Sequence, residues 1–144
     1  MQFAGDPSQP LIQRWIFYGG YACLMTHELD AIDKAEWRIF PGLSLLPDDL
    51  GFVIFTIAHI PLVALLLAGI AHQNPVVCDR TRVGLSAFLI VHAGLHKLFE
   101  HHPDYRFTTP LSIGLIYGGA VMGLLYLVCF VRWHGAQSFD QSHG

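Results

Sequence analysis

Four stretches of the chain stay apolar for about 20 residues, the length a helix needs to cross a hydrocarbon core roughly 30 Å thick. They run near Leu11–Lys34, Leu50–Ala71, Val83–Phe99 and Leu111–Val131. The second and fourth contain no Asp, Glu, Lys or Arg between their ends. The first opens on Trp15, Phe17 and Tyr18, an interfacial aromatic cluster, and near its end meets His27, Glu28 and Asp30; the third carries His92 and His96. A lipid-facing segment must satisfy its own backbone hydrogen bonds, and no period-two alternation suggests a barrel, so all four are predicted as helices. Pro41, Pro47, Asp48 and Asp49 separate the first pair, Asn74, Pro75 and Asp79 the middle pair, and Pro103, Asp104, Thr109 and Pro110 the last.

Short loops make sequential helices antiparallel neighbours. The expected fold is therefore all-α: an integral membrane four-helix bundle, one domain over residues 1–144, with both termini on the same side and a loose polar tail at 134–144. The opening MQFAGDPSQP lacks a basic region and a cleavage site, so no removable signal peptide is expected.

Composition sharpens this picture. The chain is 53% hydrophobic and 13% charged, with a mean hydropathy of +0.44, well above a typical soluble domain. Eight Lys and Arg against eleven Asp and Glu, a formal charge of −3, argue against a nucleic-acid partner. Four basic residues lie towards the face of the termini (Arg14, Arg80, Arg82, Arg132) and four towards the other (Lys34, Arg38, Lys97, Arg106), so the positive-inside rule is a tie. A lone Cys78 on the terminal side favours a reducing compartment there, hence cytoplasmic termini. Eight acidic residues, Glu28, Asp30, Asp33, Glu36, Asp48, Asp49, Glu100 and Asp104, gather at the opposite face. Those in loops read as solvated charges; those that enter a span do not.

The chemistry lies in nine histidines, more than the lysines and arginines together. With a rise of about 1.5 Å per residue, His59 and His92 fall within roughly 2 Å of the bilayer centre, and His27 and His96 roughly 6–7 Å towards the acidic face. His92 and His96, at i and i+4, emerge on one side of their helix, a chelating spacing; His27 and Asp30, at i and i+3, also share a face. A single intramembrane histidine serves as a polar link between helices. A cluster with a carboxylate at one level marks an ion, proton or cofactor site, and imidazole with carboxylate suits Zn, Fe or Mn. The expected ligands are His27, Asp30, His59, His92 and His96, with Glu28 or Glu100 transferring protons. Haem or chlorophyll held by His59 and His92 is the alternative cofactor.

The segments HELDAIDKAEWRIFP at 27–41, AHIPLVALLL at 58–67 and VHAGLHKLFEHHPDYRF at 91–107 resemble a family of small, uncharacterised bacterial four-span membrane proteins. In layout they are similar to the HXXEE-type membrane proteins, with His27, Glu28 and Asp30 taking the place of that motif without its paired glutamates. This resemblance implies a bacterial inner-membrane protein with an enzymatic role. Locally, His92, His96, His101 and His102 resemble one histidine box of the membrane-bound di-iron hydroxylases and desaturases. Those enzymes have several boxes; here Pro103 ends the helix, and His101 and His102 are expected in an interfacial loop.

Two functions remain open at this level. One is a metal-dependent membrane enzyme oxidising or hydrolysing a lipid-soluble substrate. The other is a non-enzymatic accessory subunit of a larger haem- or pigment-containing membrane complex, or a homo-oligomer, packed through Gly114, Gly118, Gly119 and Gly123.

Overall fold

A computed structural model describes the backbone of residues 10–143 and the side chains of residues 10–135. The expected absence of a leader peptide concerns residues 1–9 and lies outside the described residues. Among the described residues there are four α-helices and no strand: α1 Leu11–Asp33, α2 Asp48–Ile70, α3 Pro75–Phe99 and α4 Pro110–His143. Two single-turn 3-10 segments, Glu36–Arg38 and Leu43–Leu45, lie between α1 and α2.

The helix starts follow from capping. The Asn74 side chain accepts a hydrogen bond from the Val76 amide at 2.9 Å, and Pro75 occupies the first turn, where its missing N–H costs nothing. Residues that read as breakers are thus the opening of α3, which starts at Pro75 rather than near Val83. At α4, Thr109 Oγ1 accepts from the Ser112 amide at 3.1 Å. Asp48 and Asp49 place negative charge at the positive end of α2, which continues as one helix across Pro61. α4 runs beyond the apolar stretch, to His143.

α1 and α3 both pack on α4, whereas α2 stands apart and buries only Gly51 and Phe55. Phe17 meets Tyr126 at 5.4 Å between ring centroids, so the start of α1 lies beside the later part of α4. At the opposite end, α1 and α3 finish where α2 and α4 begin. One apolar cluster, Phe17, Leu24, Leu85, Leu89 and Tyr126, fills the terminal end, and a second, with Ala31, Ala35, Trp37, Phe55, Ala93 and Phe107, fills the other.

Two helices, α2 and the Pro110–Gly135 part of α4, are long and apolar enough to cross a membrane. In α1 and α3 the same measure is lowered by Gln13, Arg14, Glu28, Asp30, Asp79, Arg80, Arg82 and their histidines. Large apolar side chains are nevertheless exposed on all four helices, among them Leu11 and Leu29 on α1, Ile60 and Leu65 on α2, Val91 and Leu98 on α3, and Val121 and Val131 on α4.

Candidate metal centre

His27 lies between Leu24 and Ala31 on α1, and His92 and His96 flank Ala93 on α3, so the two helices carry three imidazoles into the junction of the two apolar clusters. Their ring centroids stand 4.6–5.0 Å apart. The fourth member is Glu36. One ligand atom from each of His27, Glu36, His92 and His96 lies within 4.8 Å of every other, and all four residues are buried.

Glu36 arrives by a backbone reversal. α1 ends at Asp33, and Ala35 then takes a left-handed conformation, with φ 56° and ψ 50°. Had the helix continued, Glu36 would point about 180° away from His27. The reversed turn is tied to the start of α2: Trp37 Nε1 donates to Asp48 Oδ1 at 2.9 Å, and Arg38 grips both Asp48 oxygens at 2.7 and 2.6 Å. Gly51 leaves room for Trp37, whose Cδ1 would be 3.0 Å from a Cβ added there. A non-glycine residue in this backbone region costs roughly 1–2 kcal/mol, tolerated for a purpose met nearby. Ala35→Val should therefore displace Glu36 and weaken metal binding by an order of magnitude or more, with Ala35→Gly retaining it; titration of both variants with metal checks the pair.

The four donor atoms lie close enough together that the group could hold a metal ion. His92 Nε2 and His96 Nε2 are 3.2 Å apart. Two nitrogens each about 2.0–2.1 Å from a tetrahedral ion stand roughly 3.3 Å apart. Glu36 turns one oxygen to His96 Nε2 at 3.4 Å and the other to His27 Nε2 at 3.8 Å. Burial by itself would raise the Glu36 carboxyl, but the His96 hydrogen bond and the neighbouring imidazoles outweigh it and hold the group below its usual range, ionised.

His27 is 1% exposed, and both its ring nitrogens are buried without a hydrogen-bond partner among the described residues. His96 is positioned from behind by the Tyr105 hydroxyl, 3.3 Å from Nδ1. Burial pushes the Tyr105 phenol up to about 12, so it keeps its proton at neutral pH. This contact at Nδ1 leaves the Nε2 edge of His96 facing the cluster. Such outer partners contribute about 10–100-fold in metal affinity, and Tyr105→Phe should lose that much in a competitive metal titration. Phe107, 2% exposed, covers His27 and His96 at 5.3 and 4.7 Å, and Phe88 stacks on His92 at 5.4 Å.

The remaining candidates lie elsewhere. His59 Nε2 is 2.8 Å from Glu28, on the adjoining helix, and its Nδ1 is 2.7 Å from the Phe55 carbonyl. His59 thus stands outside the four-residue cluster, with both ring nitrogens engaged. Asp30 turns towards Lys34, 3.9 Å away one helical turn on, and stands outside the four-residue cluster. Glu100 pairs with Lys97 at 2.5 and 2.7 Å and with His101 at 3.4 Å, on the outside of α3. The structure thus gathers three of the five expected ligands and completes them with Glu36, which the sequence pattern had left among solvated loop charges.

Two cavities flank the cluster and share Glu36, Phe40 and His92 as walls. The smaller, about 200 Å³, reaches His96 and Phe99. The larger, about 540 Å³, lies between α2 and the α1–α3 pair and is lined by Glu28 and His59 as well.

A family model, that of a family of unknown function (DUF6713), matches residues 13–133. The chain belongs to DUF6713. The matched region holds all four helices in large part and every residue of the cluster, so the site lies within the DUF6713 unit. No curated protein and no solved structure matches the chain.

Proposed function

We propose that this DUF6713 member is a metal-dependent integral membrane enzyme whose centre, His27, Glu36, His92 and His96, activates water or dioxygen towards a lipid-soluble substrate. The observation that carries the reading is His27: a fully buried imidazole with two unpaired nitrogens, facing one carboxylate and two further imidazoles. Burying an unpaired polar group costs roughly 1–3 kcal/mol, a cost that a coordinated ion removes. Three nitrogens and one oxygen suit Zn, Fe or Mn. Zn supports hydrolysis and Fe supports oxidation, with the ion lowering the pKa of a bound water or binding dioxygen.

The exposed apolar residues on all four helices support a bilayer setting; the proposal places four spans in a bacterial inner membrane with cytoplasmic termini. The buried histidines of α1 and α3 then belong to the site, shielded by α4 and α2. The larger cavity, bounded by α2 and by Phe40 and Leu43 of the connection before it, is the proposed approach from the lipid. Glu28, on its wall, is the proton-transfer group placed to serve it; Glu100, paired on the outer surface, is not.

A second reading, an accessory or self-associating subunit, is favoured by Gly114 and Gly118. A Cβ added at either meets nothing within 4 Å, an open small-residue face of the kind membrane helices pack through.

The test is elemental analysis of the full chain purified without chelator, expected to give one transition-metal ion per chain. Chelation should lower Tm on the order of 10 °C when free metal had been near a thousand times its Kd. Sub-stoichiometric metal after reconstitution with Zn, Fe and Mn, with no shift in Tm, overturns the proposal. An intact metal centre with no turnover of any lipid-soluble substrate would favour the accessory reading.

A further inference from the structure

The larger cavity has a polar end and an apolar body, and their chemistry restricts what fits. On α2 its lining runs from Ile54 to Leu66, about 18 Å along the helix axis at 1.5 Å per residue, of which about 10 Å lies beyond His59. Beyond the polar end, the walls are apolar, with Leu24, Leu62, Val63, Leu66, Leu85 and Phe88 among them. A volume of about 540 Å³ with a mainly apolar wall accommodates a single hydrocarbon chain. The polar end consists of Glu28, Glu36, His59 and His92, and the lining includes neither lysine nor arginine.

The Glu28–His59 pair has a defined proton inventory. The Phe55 carbonyl only accepts, so Nδ1 of His59 carries a hydrogen. Nε2 lies 2.8 Å from Glu28, a distance that two bare lone pairs do not hold, so one proton is shared between them. Whichever atom holds it, the pair is neutral overall and offers a donor and an acceptor edge. A hydroxyl or carbonyl head can use these edges. A carboxylate or phosphate head meets two glutamates and neither lysine nor arginine.

We infer that the cavity binds an uncharged single-chain amphiphile, such as a long-chain alcohol or aldehyde, with its oxygen on the Glu28–His59 pair and its chain along α2. The inference rests on the reading of the neighbouring cluster as the reacting centre, since it places the head group between Glu28 and the Glu36–His92 wall. Binding itself, however, depends on the cavity and is measurable apart from metal.

The experiment uses the full chain in nanodiscs, metal-loaded and chelator-treated, with a diazirine-bearing hexadecanol as probe and metal content measured on the same samples. Crosslinks should concentrate on cavity residues of α2 and α3. Unlabelled hexadecanol should compete at concentrations about tenfold or more below those of palmitate or hexadecane. Leu62→Trp fills the cavity and should abolish labelling there; Ala58→Phe is the milder filler if that variant folds poorly. In the double variant Glu28→Leu with His59→Leu, hexadecanol should lose its advantage over hexadecane. Competition by palmitate at or below the hexadecanol concentration, equal competition by hexadecane in the parent chain, or labelling unchanged by both fillers overturns the inference. Selective labelling of a chain that takes up no metal would leave the inference standing and overturn the enzyme reading alone.

Discussion

Replacing His27 with leucine is expected to raise the stability of the metal-free protein while abolishing stoichiometric metal binding. The two effects share one cause. In the metal-free chain both ring nitrogens of His27 are buried without hydrogen-bond partners among the described residues, at 1% exposure. An unsatisfied buried polar group costs roughly 1–3 kcal/mol, and an apolar replacement of similar shape removes that cost. Leucine fills most of the same space beside His92, His96 and Phe107, so the Tm of the metal-free variant should rise by several degrees. Loss of a direct ligand exceeds loss of an outer partner, so affinity should fall at least about 100-fold and the Tm gain on adding metal should vanish. If His27 were a structural link between helices, the variant would instead lose stability with metal absent. Glu36→Gln is the companion: it keeps the shape and removes the charge, and it too should bind metal at least about 100-fold more weakly. Glu100→Gln, on the outer surface of α3, should bind normally.

The sequence pattern located three members of this cluster because their placement is helical. His92 and His96 share a face by their four-residue spacing, and His27 lies at the same depth on the antiparallel-once-removed helix. Glu36 was hidden because helical extrapolation aims it about 180° away from His27. Its entry depends on a single left-handed residue, Ala35, and on an Arg38–Trp37–Asp48 clamp made between segments distant in sequence. Alanine carries no signal for positive φ as glycine does, so nothing local marked the reversal. Asp30 shares the His27 face on an ideal helix, yet it turns towards Lys34, a cation 3.9 Å away one turn on. His59 has the right depth, but α2 stands off from α1 and α3 across the larger cavity. Depth could be read from residue counts; the separation between helices could not. The four helices themselves were legible to within a residue or two at most ends. There are two exceptions: α4 continues past Val131 to His143, and α3 starts early because an Asn-Pro pair reads as a loop and serves as an N-cap with proline in the first turn.

Three glycines of α4 should respond differently to alanine, and the order follows from what each faces. A Cβ on Gly123 would stand 2.5 Å from the Ser86 carbonyl oxygen and 3.3 Å from Leu89 Cβ. The first of these is backbone, which cannot rotate away, so α3 and α4 must separate. Overpacking of this kind costs about 1–3 kcal/mol, sometimes more. For a chain of this size that is a fall in Tm of roughly 3–12 °C. The displaced backbone at Ser86 lies on the same helix as His92 and His96, so metal affinity should fall with stability. On Gly119 the added atom meets Cys23 and Leu89 at 3.5 Å, ordinary contact, and little should change. On Gly118 it meets nothing within 4 Å, and the better helix propensity of alanine should raise Tm slightly, by up to about 1 kcal/mol of stability. Thermal unfolding of Gly118→Ala, Gly119→Ala and Gly123→Ala in one detergent tests the ranking directly. A Gly123→Ala variant as stable as the parent would show that α3 and α4 do not approach through this glycine. A Gly118→Ala variant that loses stability only at protein concentrations where the parent self-associates would show instead that the open face of α4 is covered by a second copy.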